Sequence, residues 1–194
     1  MKIIALVSIT LNAVNPMTDY LNSVSEEIKS RNYLDSGLMD KIRADGKITD
    51  ESMGRMFQLL SLAAADGADV IVLTCTVFSA YVPSFLKLLS VPVICPDGAM
   101  LANAAAADGK KAIVCTFEGT AIPTRELYVS YCREYNRSED ADIYILPEAY
   151  DAMQRGEGEQ GNRLILQKVS ELDCRYDHVV LAQISMAEAV RGYQ

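Results

Sequence analysis

The chain has 194 residues, of which 50% are hydrophobic and 23% are charged, a composition typical of a globular protein with a full core. Its formal net charge of −8 argues against a general nucleic-acid binder, because phosphate contacts need clustered Lys and Arg side chains. No apolar run is long enough to cross a bilayer, and the opening segment MKIIALVSIT indicates a first strand and not a signal peptide. We therefore expect a cytoplasmic protein with no nucleic-acid partner and no membrane partner.

Apolar runs predict six strands, over 2–8, 69–74, 91–95, 111–115, 142–146 and 177–183. The runs are continuous and not alternating, which is typical of parallel strands buried on both faces. Helical stretches separate them, and Met53, Met56, Phe57, Leu60 and Ala64 fall on one helix face. The string AAADG, at 63–67 and 105–109, ends two helices, because glycine supplies the left-handed C-terminal cap. This alternation of strands and helices predicts an α/β fold with parallel sheets.

The cysteines are odd in number and no pair has CxxC spacing, so we expect reduced thiols and neither a disulfide framework nor a zinc site. They are Cys75, Cys95, Cys115, Cys132 and Cys174. The only histidine, His178, begins the last predicted strand, at the end opposite the candidate site. We interpret it as a polar surface residue and not as a catalytic base.

Polar side chains and thiols follow four of the predicted strands, in the segments VSIT, LTCTVFS, VCTFEGT and VLAQISMAE. In a parallel sheet, sites form at the carboxyl ends of the strands, where helix N-termini present unpaired N–H groups. Cys75 stands out because it ends a strand between Thr74 and Thr76, and the following turn offers N–H groups that favour a thiolate. The alternative interpretation is a packed, inert cysteine. We interpret Cys115, which also ends a strand, as structural.

Four segments, in this order and spacing, resemble the aspartate/glutamate/hydantoin racemase superfamily of cofactor-independent enzymes. GADVIVLTCTVFS resembles its first cysteine motif, VPVICPDGAMLANAA the segment leading into its second lobe, and KKAIVCTFEGT a strand and turn of the family, while YDHVVLAQISMA stands at the second cysteine motif. The resemblance implies two similar lobes, each a small parallel sheet of the four-stranded type flanked by helices, with the site in the cleft between them. We expect the first lobe over 1–95, joined by a C-terminal helix over 184–194, and the second over 96–183.

The resemblance also implies the catalytic residues. In that family one thiolate removes the α-proton and an opposite thiol returns a proton on the other face. Cys75 matches the first thiol, whereas Gln183 stands at the second position, 108 residues later. An amide is neither an acid nor a base near neutral pH, so Gln183 departs from the family pattern. Glu118 is a candidate substitute acid/base, although we favour a side chain that points to solvent.

The same resemblance implies a set of substrate-binding residues. Thr76, Val77, Ile184 and Ser185 would supply backbone N–H groups to a substrate carboxylate, Thr116 and Thr120 match the turn that closes on the substrate, and Ser8 or Asn12 would line the floor. We expect no cofactor and no metal.

These residues support one leading hypothesis, an enzyme that acts on a small amino-acid-like or dicarboxylate-like substrate through Cys75. Because Gln183 replaces the second cysteine, a one-thiol isomerase or decarboxylase fits better than a two-base racemase. A non-catalytic carboxylate-binding or regulatory protein is the alternative of another class, and a buried, inert Cys75 would favour it. The sequence fixes neither the substrate nor the oligomeric state, although a homodimer would be ordinary.

Overall fold

The computed structural model describes residues 1–193 of the chain. Contacts within it define two compact units, Met1–Pro96 and Asp97–Gln194. Both units are built from parallel strands connected by helices, which confirms the predicted α/β class. Among the described residues, no helix combines the length and the apolar character of a membrane span.

The first unit contains a four-stranded parallel sheet with the strand order β2-β1-β3-β4. Its strands are β1 (Lys2–Ser8), β2 (Ile28–Leu34), β3 (Val70–Leu73) and β4 (Val93–Ile94), and its helices are α1 (Val14–Val24), α2 (Ser36–Asp45), α3 (Asp50–Ala65) and α4 (Val82–Leu86). Two 3-10 helices, Leu11–Ala13 and Thr76–Tyr81, lie after β1 and β3. β1 pairs on both sides, and its residues Ala5, Leu6 and Val7 are fully buried.

Helix α3 shows how the sequence fixes the element that precedes β3. Thr49 caps its N-terminus by accepting the Ser52 N–H, and the Ser52 hydroxyl oxygen accepts the Thr49 N–H in return. The helix buries Met56 and Leu60, as the predicted helix face requires. It ends at Asp66-Gly67, where Gly67 adopts a φ of 82°. β3 and Cys75 therefore start from a well-defined helix end.

The second unit contains a three-stranded parallel sheet with the strand order β6-β5-β7. Its strands are β5 (Lys111–Cys115), β6 (Asp142–Ile145) and β7 (His178–Leu181), and its helices are α5 (Pro96–Ala106), α6 (Glu118–Glu134), α7 (Pro147–Gln154) and α8 (Gly158–Asp173). A 3-10 helix, Ile184–Val190, lies after β7. The central strand β5 is buried along its whole length.

Helices cover both faces of β5. On one face, Ile113 and Cys115 share a core cluster with residues of α5 and α6, including Leu101 and Tyr128. On the other face, Ala112 and Val114 pack in a cluster with residues of α7, α8 and the last 3-10 helix. This layered packing explains why the β5 sequence is continuously apolar after Lys111.

Three sequence-based expectations differ from the structure. The sequence does not predict β2, because its residues IKSRNYL, all half-buried or exposed at the edge of the sheet, form no continuous apolar run. The second sheet has three strands, so the two sheets are not both four-stranded. The segment 184–194 was assigned to the first lobe, but Met186 and Ala189 pack in the cluster formed by Ile165 and Val169 of α8, within the second unit.

The two units repeat the same strand geometry. In the first, Val7 of β1 lies opposite Leu73 of β3, and in the second, Val114 of β5 lies opposite Leu181 of β7. Each of these strand pairs is extended by one further backbone bond, Thr74 N–H to the Val7 carbonyl and Ala182 N–H to the Val114 carbonyl. The strand ends that follow are therefore structurally equivalent.

An aspartate carboxylate accepts a backbone N–H at the opposite end of each strand pair. Asp69 accepts the N–H of Ile3 at 2.7 Å in the first unit, and Asp177 accepts the N–H of Lys110 at 2.7 Å in the second. Asp69 and Asp177 are 108 residues apart, the same interval that separates Cys75 from Gln183. The register of the second unit thus makes Gln183 the counterpart of Cys75.

Candidate active site at the carboxyl ends of the strands

Cys75 lies at the junction between β3 and the 3-10 helix Thr76–Tyr81. It is the N-cap residue of that helix, with extended backbone angles of φ −101° and ψ 107°, and its carbonyl accepts the N–H of Phe78 at 3.1 Å. Its side chain is half-buried, and so it is not a fully packed core cysteine. The start of a helix carries partial positive charge, which stabilises a thiolate.

The residues directly before and after Cys75, Thr74 and Thr76, are more deeply buried than Cys75. Thr76 and Val77, the predicted N–H donors, are the first two residues of the 3-10 helix and are both buried. This places the two predicted donor groups directly after the thiol, on backbone held by the surrounding core.

The Ser8 hydroxyl, predicted to line the floor, is used to join β1 to β3. Ser8 is 1% exposed, and its Oγ lies 2.8 Å from the Oγ1 of Thr74. Since Thr74 donates to the carbonyl of Val7 at 3.2 Å, the Ser8 hydroxyl must be the donor in the pair. Ser8 therefore braces the residue before Cys75. Asn12, the other candidate, is exposed in the 3-10 helix Leu11–Ala13.

Gln183 takes the corresponding position after β7. It is the N-cap residue of the 3-10 helix Ile184–Val190, with φ −141° and ψ 134°, and its carbonyl accepts the N–H of Met186 at 3.0 Å. Gln183 is half-buried, as are Ile184 and Ser185, the two residues predicted to offer N–H groups from this turn. The backbone thus repeats the geometry at Cys75 with an amide in place of the thiol.

The side chain of Gln183 is held by Thr116, the first residue after β5. The Oε1 of Gln183 accepts the backbone N–H of Thr116 at 2.6 Å and the Thr116 hydroxyl at 2.9 Å. Thr116 is 2% exposed. Both of its donor groups, predicted from the resemblance to close on a substrate, are instead bonded to Gln183.

The turn between β5 and α6 is also internally bonded at Thr120. The Thr120 hydroxyl donates to the carbonyl of Phe117 at 2.7 Å, and the Thr120 N–H donates to the same carbonyl at 3.0 Å. Glu118 is exposed as the first residue of α6, where a negative charge is favourable near the helix N-terminus. Its exposure agrees with the favoured interpretation of a carboxylate that points to solvent.

The remaining cysteines occupy different environments. Cys115 and Cys132 are buried, Cys95 is half-buried, and Cys174 is exposed at the C-cap of α8. Burial raises the pKa of the Cys115 thiol, against a smaller opposing effect from Thr120 and Thr124. Cys115 is therefore a core residue, as its sequence context indicated.

Sequence reasoning missed an ion pair at the carboxyl end of β2. Asp35 follows this strand, and its backbone N–H donates to the carbonyl of Ser8 at 3.1 Å. Its carboxylate accepts the Leu38 N–H at the start of α2 and binds Arg55 through Nε at 2.5 Å and Nη2 at 2.7 Å. The guanidinium of Arg55 therefore places a positive charge at the carboxyl end of β2. The signal in the sequence is Asp35 as an N-cap residue before α2, which points to this end of the sheet only once β2 is known.

His178 and potential metal ligands lie outside this arrangement. His178 begins β7, and its Nε2 lies 2.9 Å from the carbonyl of Asp108, at the strand end opposite Gln183. Among residues 1–193, no three His, Cys, Asp or Glu side chains are grouped so that they would hold a metal ion.

Solved structures of three racemases are similar to this chain. An aspartate racemase from Picrophilus torridus aligns with a TM-score of 0.77 at 14% identity, covering 100% of this chain and 86% of that one. An allantoin racemase from Klebsiella pneumoniae aligns with a TM-score of 0.66 at 16% identity, covering 99% and 80%. A glutamate racemase isoform from Bacillus anthracis aligns with a TM-score of 0.67 at 15% identity, covering 99% and 71%.

Comparison of the sequence alone, in contrast, finds no match. No protein-family model matches the chain, and no curated protein matches it. The structural likeness spans the whole chain at low identity, so what is shared is the architecture. The chain therefore has the fold of the aspartate, allantoin and glutamate racemases.

Proposed function

We propose that the chain is a cofactor-independent enzyme of the aspartate/glutamate/hydantoin racemase superfamily that acts on a small carboxylate through Cys75. The observation that carries this proposal is the position of Cys75 as a half-buried N-cap at the carboxyl end of β3, in a fold shared with racemases. A partly accessible thiol beside a helix start is suited to proton transfer, whereas a fully packed thiol is not. This placement favours an enzyme over a protein that only binds carboxylates.

Cys75 acts as the single thiol acid/base in the proposed reaction. Its thiolate takes the α-proton, the electron pair of the C–H bond stays on the substrate as a carbanion stabilised by the adjacent carboxylate, and the thiol returns a proton to the same carbon. Gln183 stands at the counterpart position, and its amide is neither a general acid nor a general base near neutral pH. Because both transfers use one face, the substrate keeps its configuration. Its α-proton exchanges with solvent when the Cys75 thiol exchanges its proton with water before returning one.

A one-thiol decarboxylation is the second candidate, favoured by the same replacement of a thiol by Gln183. In that reaction a C–C bond breaks with release of carbon dioxide, and the electron pair remains on the substrate carbon. The Cys75 thiol then donates its proton to that carbon, and water reprotonates the thiolate. No second acid/base is needed, which matches a site with one thiol.

Solvent exchange followed by NMR in deuterium oxide tests the proposal. Aspartate, glutamate and methylmalonate are incubated with the wild-type protein, the C75S variant and the C174S variant, and the products undergo chiral analysis. We expect wild type and C174S to catalyse α-proton exchange with retention, or carbon dioxide release from methylmalonate, and C75S to catalyse neither. Equal activity of C75S and wild type would overturn the role of Cys75, and inactivity of wild type on all three acids would count against the proposed substrate class.

A further inference from the structure

The carboxamide of Gln183 has one fixed orientation in the second unit. The backbone N–H of Thr116, which is only a donor, lies 2.6 Å from the Oε1 of Gln183. Turning the amide over would place the NH2 group against this N–H, donor against donor. The Thr116 hydroxyl adds a second bond to the same oxygen at 2.9 Å. The oxygen is therefore held, and the position of the Nε2 follows from it.

The Nε2 of Gln183 has no hydrogen-bond partner among residues 1–193. Within the same residues, the Oγ1 of Thr124 is the sole buried side-chain polar atom without a partner, so the Nε2 of Gln183 is in contact with solvent. An amide NH2 group carries two hydrogen-bond donors and accepts none. The turn after β7 thus presents an oriented, neutral donor at the position equivalent to the Cys75 thiol.

The choice of glutamine is informative because the bonds to Thr116 require only an acceptor. A glutamate at position 183 would have the same length and would accept both Thr116 donors equally well. What glutamine adds over glutamate is the NH2 group and the absence of negative charge. Both properties suit a group that meets an oxygen of an anionic substrate.

We infer that Gln183 determines specificity by donating from its Nε2 to an acceptor oxygen of the substrate, and that Thr116 is the residue that positions it. This inference rests on the proposed function, which supplies a small carboxylate as the ligand. The substrate then carries a carboxylate or carbonyl oxygen at this position. An ammonium group there is disfavoured, because two donors would face each other.

The test compares wild type with two matched variants in isothermal titration with succinate, methylmalonate, aspartate and glutamate. Gln183→Glu keeps both Thr116 bonds and removes the donor, so we expect unchanged thermal unfolding and binding weakened by about tenfold or more. Thr116→Val keeps the backbone bond and removes the hydroxyl bond, so we expect binding weakened by only about two- to fivefold. A purely structural Gln183 predicts the opposite, since glutamate would preserve the structure and therefore the affinity.

The negative charge added in Gln183→Glu also repels an anion and would weaken binding by itself. A second measurement on the wild type therefore separates this repulsion from the loss of the donor. The side-chain NH2 resonances of Gln183, assigned by triple-resonance NMR, should move as the acid that binds is titrated in. If an acid binds and these resonances stay in place, the inference is overturned while the proposed function stands. If none of the four acids binds the wild type, the proposed function fails, and this inference fails with it.

Discussion

Cys75 and Gln183 occupy equivalent positions in two repeated strand-to-helix turns. Each lies two residues after the last residue of its strand, Leu73 or Leu181, and each is the extended N-cap of a 3-10 helix. One position carries a half-buried thiol, and the other carries an amide fixed by Thr116. The fold therefore repeats the backbone of the turn while the sequence gives the two copies different chemistry.

Cys75 should react fastest with iodoacetamide among the five thiols. Cys174 is more exposed than Cys75, so access alone would make Cys174 the faster one. A faster Cys75 would therefore reflect thiolate stabilised at the helix start. Limited labelling between pH 6 and 9, read by peptide mass spectrometry, measures the two rates, with the buried Cys115 and Cys132 as slow references.

The C174S variant is the matched control for this labelling. It should leave the rate at Cys75 unchanged, whereas C75S should remove the fast phase and leave the slow one. A rate at Cys174 equal to or above that at Cys75 would argue against Cys75 as the reactive thiol.

Asp69 should stabilise the first unit in a pH-dependent way. The N–H of Ile3 bonded to its carboxylate, assisted by the nearby Lys2 ammonium, lowers the pKa of Asp69 from its ordinary value. A carboxyl group with a lowered folded-state pKa stabilises the fold above its unfolded pKa of about 3.9 and loses that effect as the pH falls through the folded value. We expect D69N to melt below wild type at pH 7, with the difference shrinking below about pH 4.

The melting temperature of D69N is compared with that of D19N, which alters an exposed carboxylate on α1. D19N should follow wild type across the pH range. A D69N deficit of the same size at pH 3 and pH 7 would show that the charge of Asp69 is not the source of its stabilising effect.

Replacing Gly109 by alanine should destabilise the protein more than the same change at Gly67. Both glycines end an AAADG string and have positive φ, 89° and 82° respectively, so each substitution incurs a left-handed backbone cost of about 1 kcal/mol. A Cβ at Gly67 meets nothing within 4 Å, whereas at Gly109 it would lie 2.6 Å from the Oδ2 of Asp177. That carboxylate bonds the Lys110 N–H, so we expect a total loss of about 3 kcal/mol at Gly109.

Urea unfolding of G67A and G109A measures the two free energies directly. The two variants control for each other, because the residue type, the string and the sign of φ are the same. Equal losses would mean that the contact with Asp177 relaxes without cost.

Most of the strands were predictable because their apolar runs are continuous and end at turn residues. Lys2–Ser8 and Lys111–Cys115 were predicted with the bounds that the structure has. β2 was not predictable from the sequence because an edge strand is only partly buried. Lys29 and Asn32 therefore interrupt the apolar pattern that a buried strand would show. The short β4 was predicted as five residues and has two.

The position of the thiol was predictable, whereas the bonding around the candidate site was not. A cysteine that ends an apolar run is visible in one segment of sequence. The bond between Thr116 and Gln183 joins residues 67 positions apart, and its existence depends on the registry of β5 against β7. The same holds for Ser8 and Thr74, whose hydroxyls meet through the registry of β1 against β3. Local patterns carry no information on such pairs.

Placing a thiol at position 183 should create some two-base racemisation. In Q183C a second thiol stands at the counterpart of Cys75, so under the proposed function the protein gains the second acid/base that inversion requires. General acid–base groups contribute typically about 10²–10⁴-fold, so chiral analysis of the aspartate or glutamate that wild type exchanges should detect inversion. Q183C also removes the oxygen that accepts the two donor groups of the buried Thr116. We therefore expect the free energy of unfolding to fall by about 1–3 kcal/mol.

Q183A is the matched control, because it removes the same two bonds to Thr116 and adds no thiol. It should exchange the α-proton with retention or not at all, and the double variant C75S/Q183C should lose inversion again. Inversion by Q183A, or by wild type, would mean that a group other than residue 183 supplies the second proton, with Glu118 the first to replace. Inversion confined to Q183C would show that the second turn keeps the backbone geometry for acid/base work and that glutamine alone withholds it.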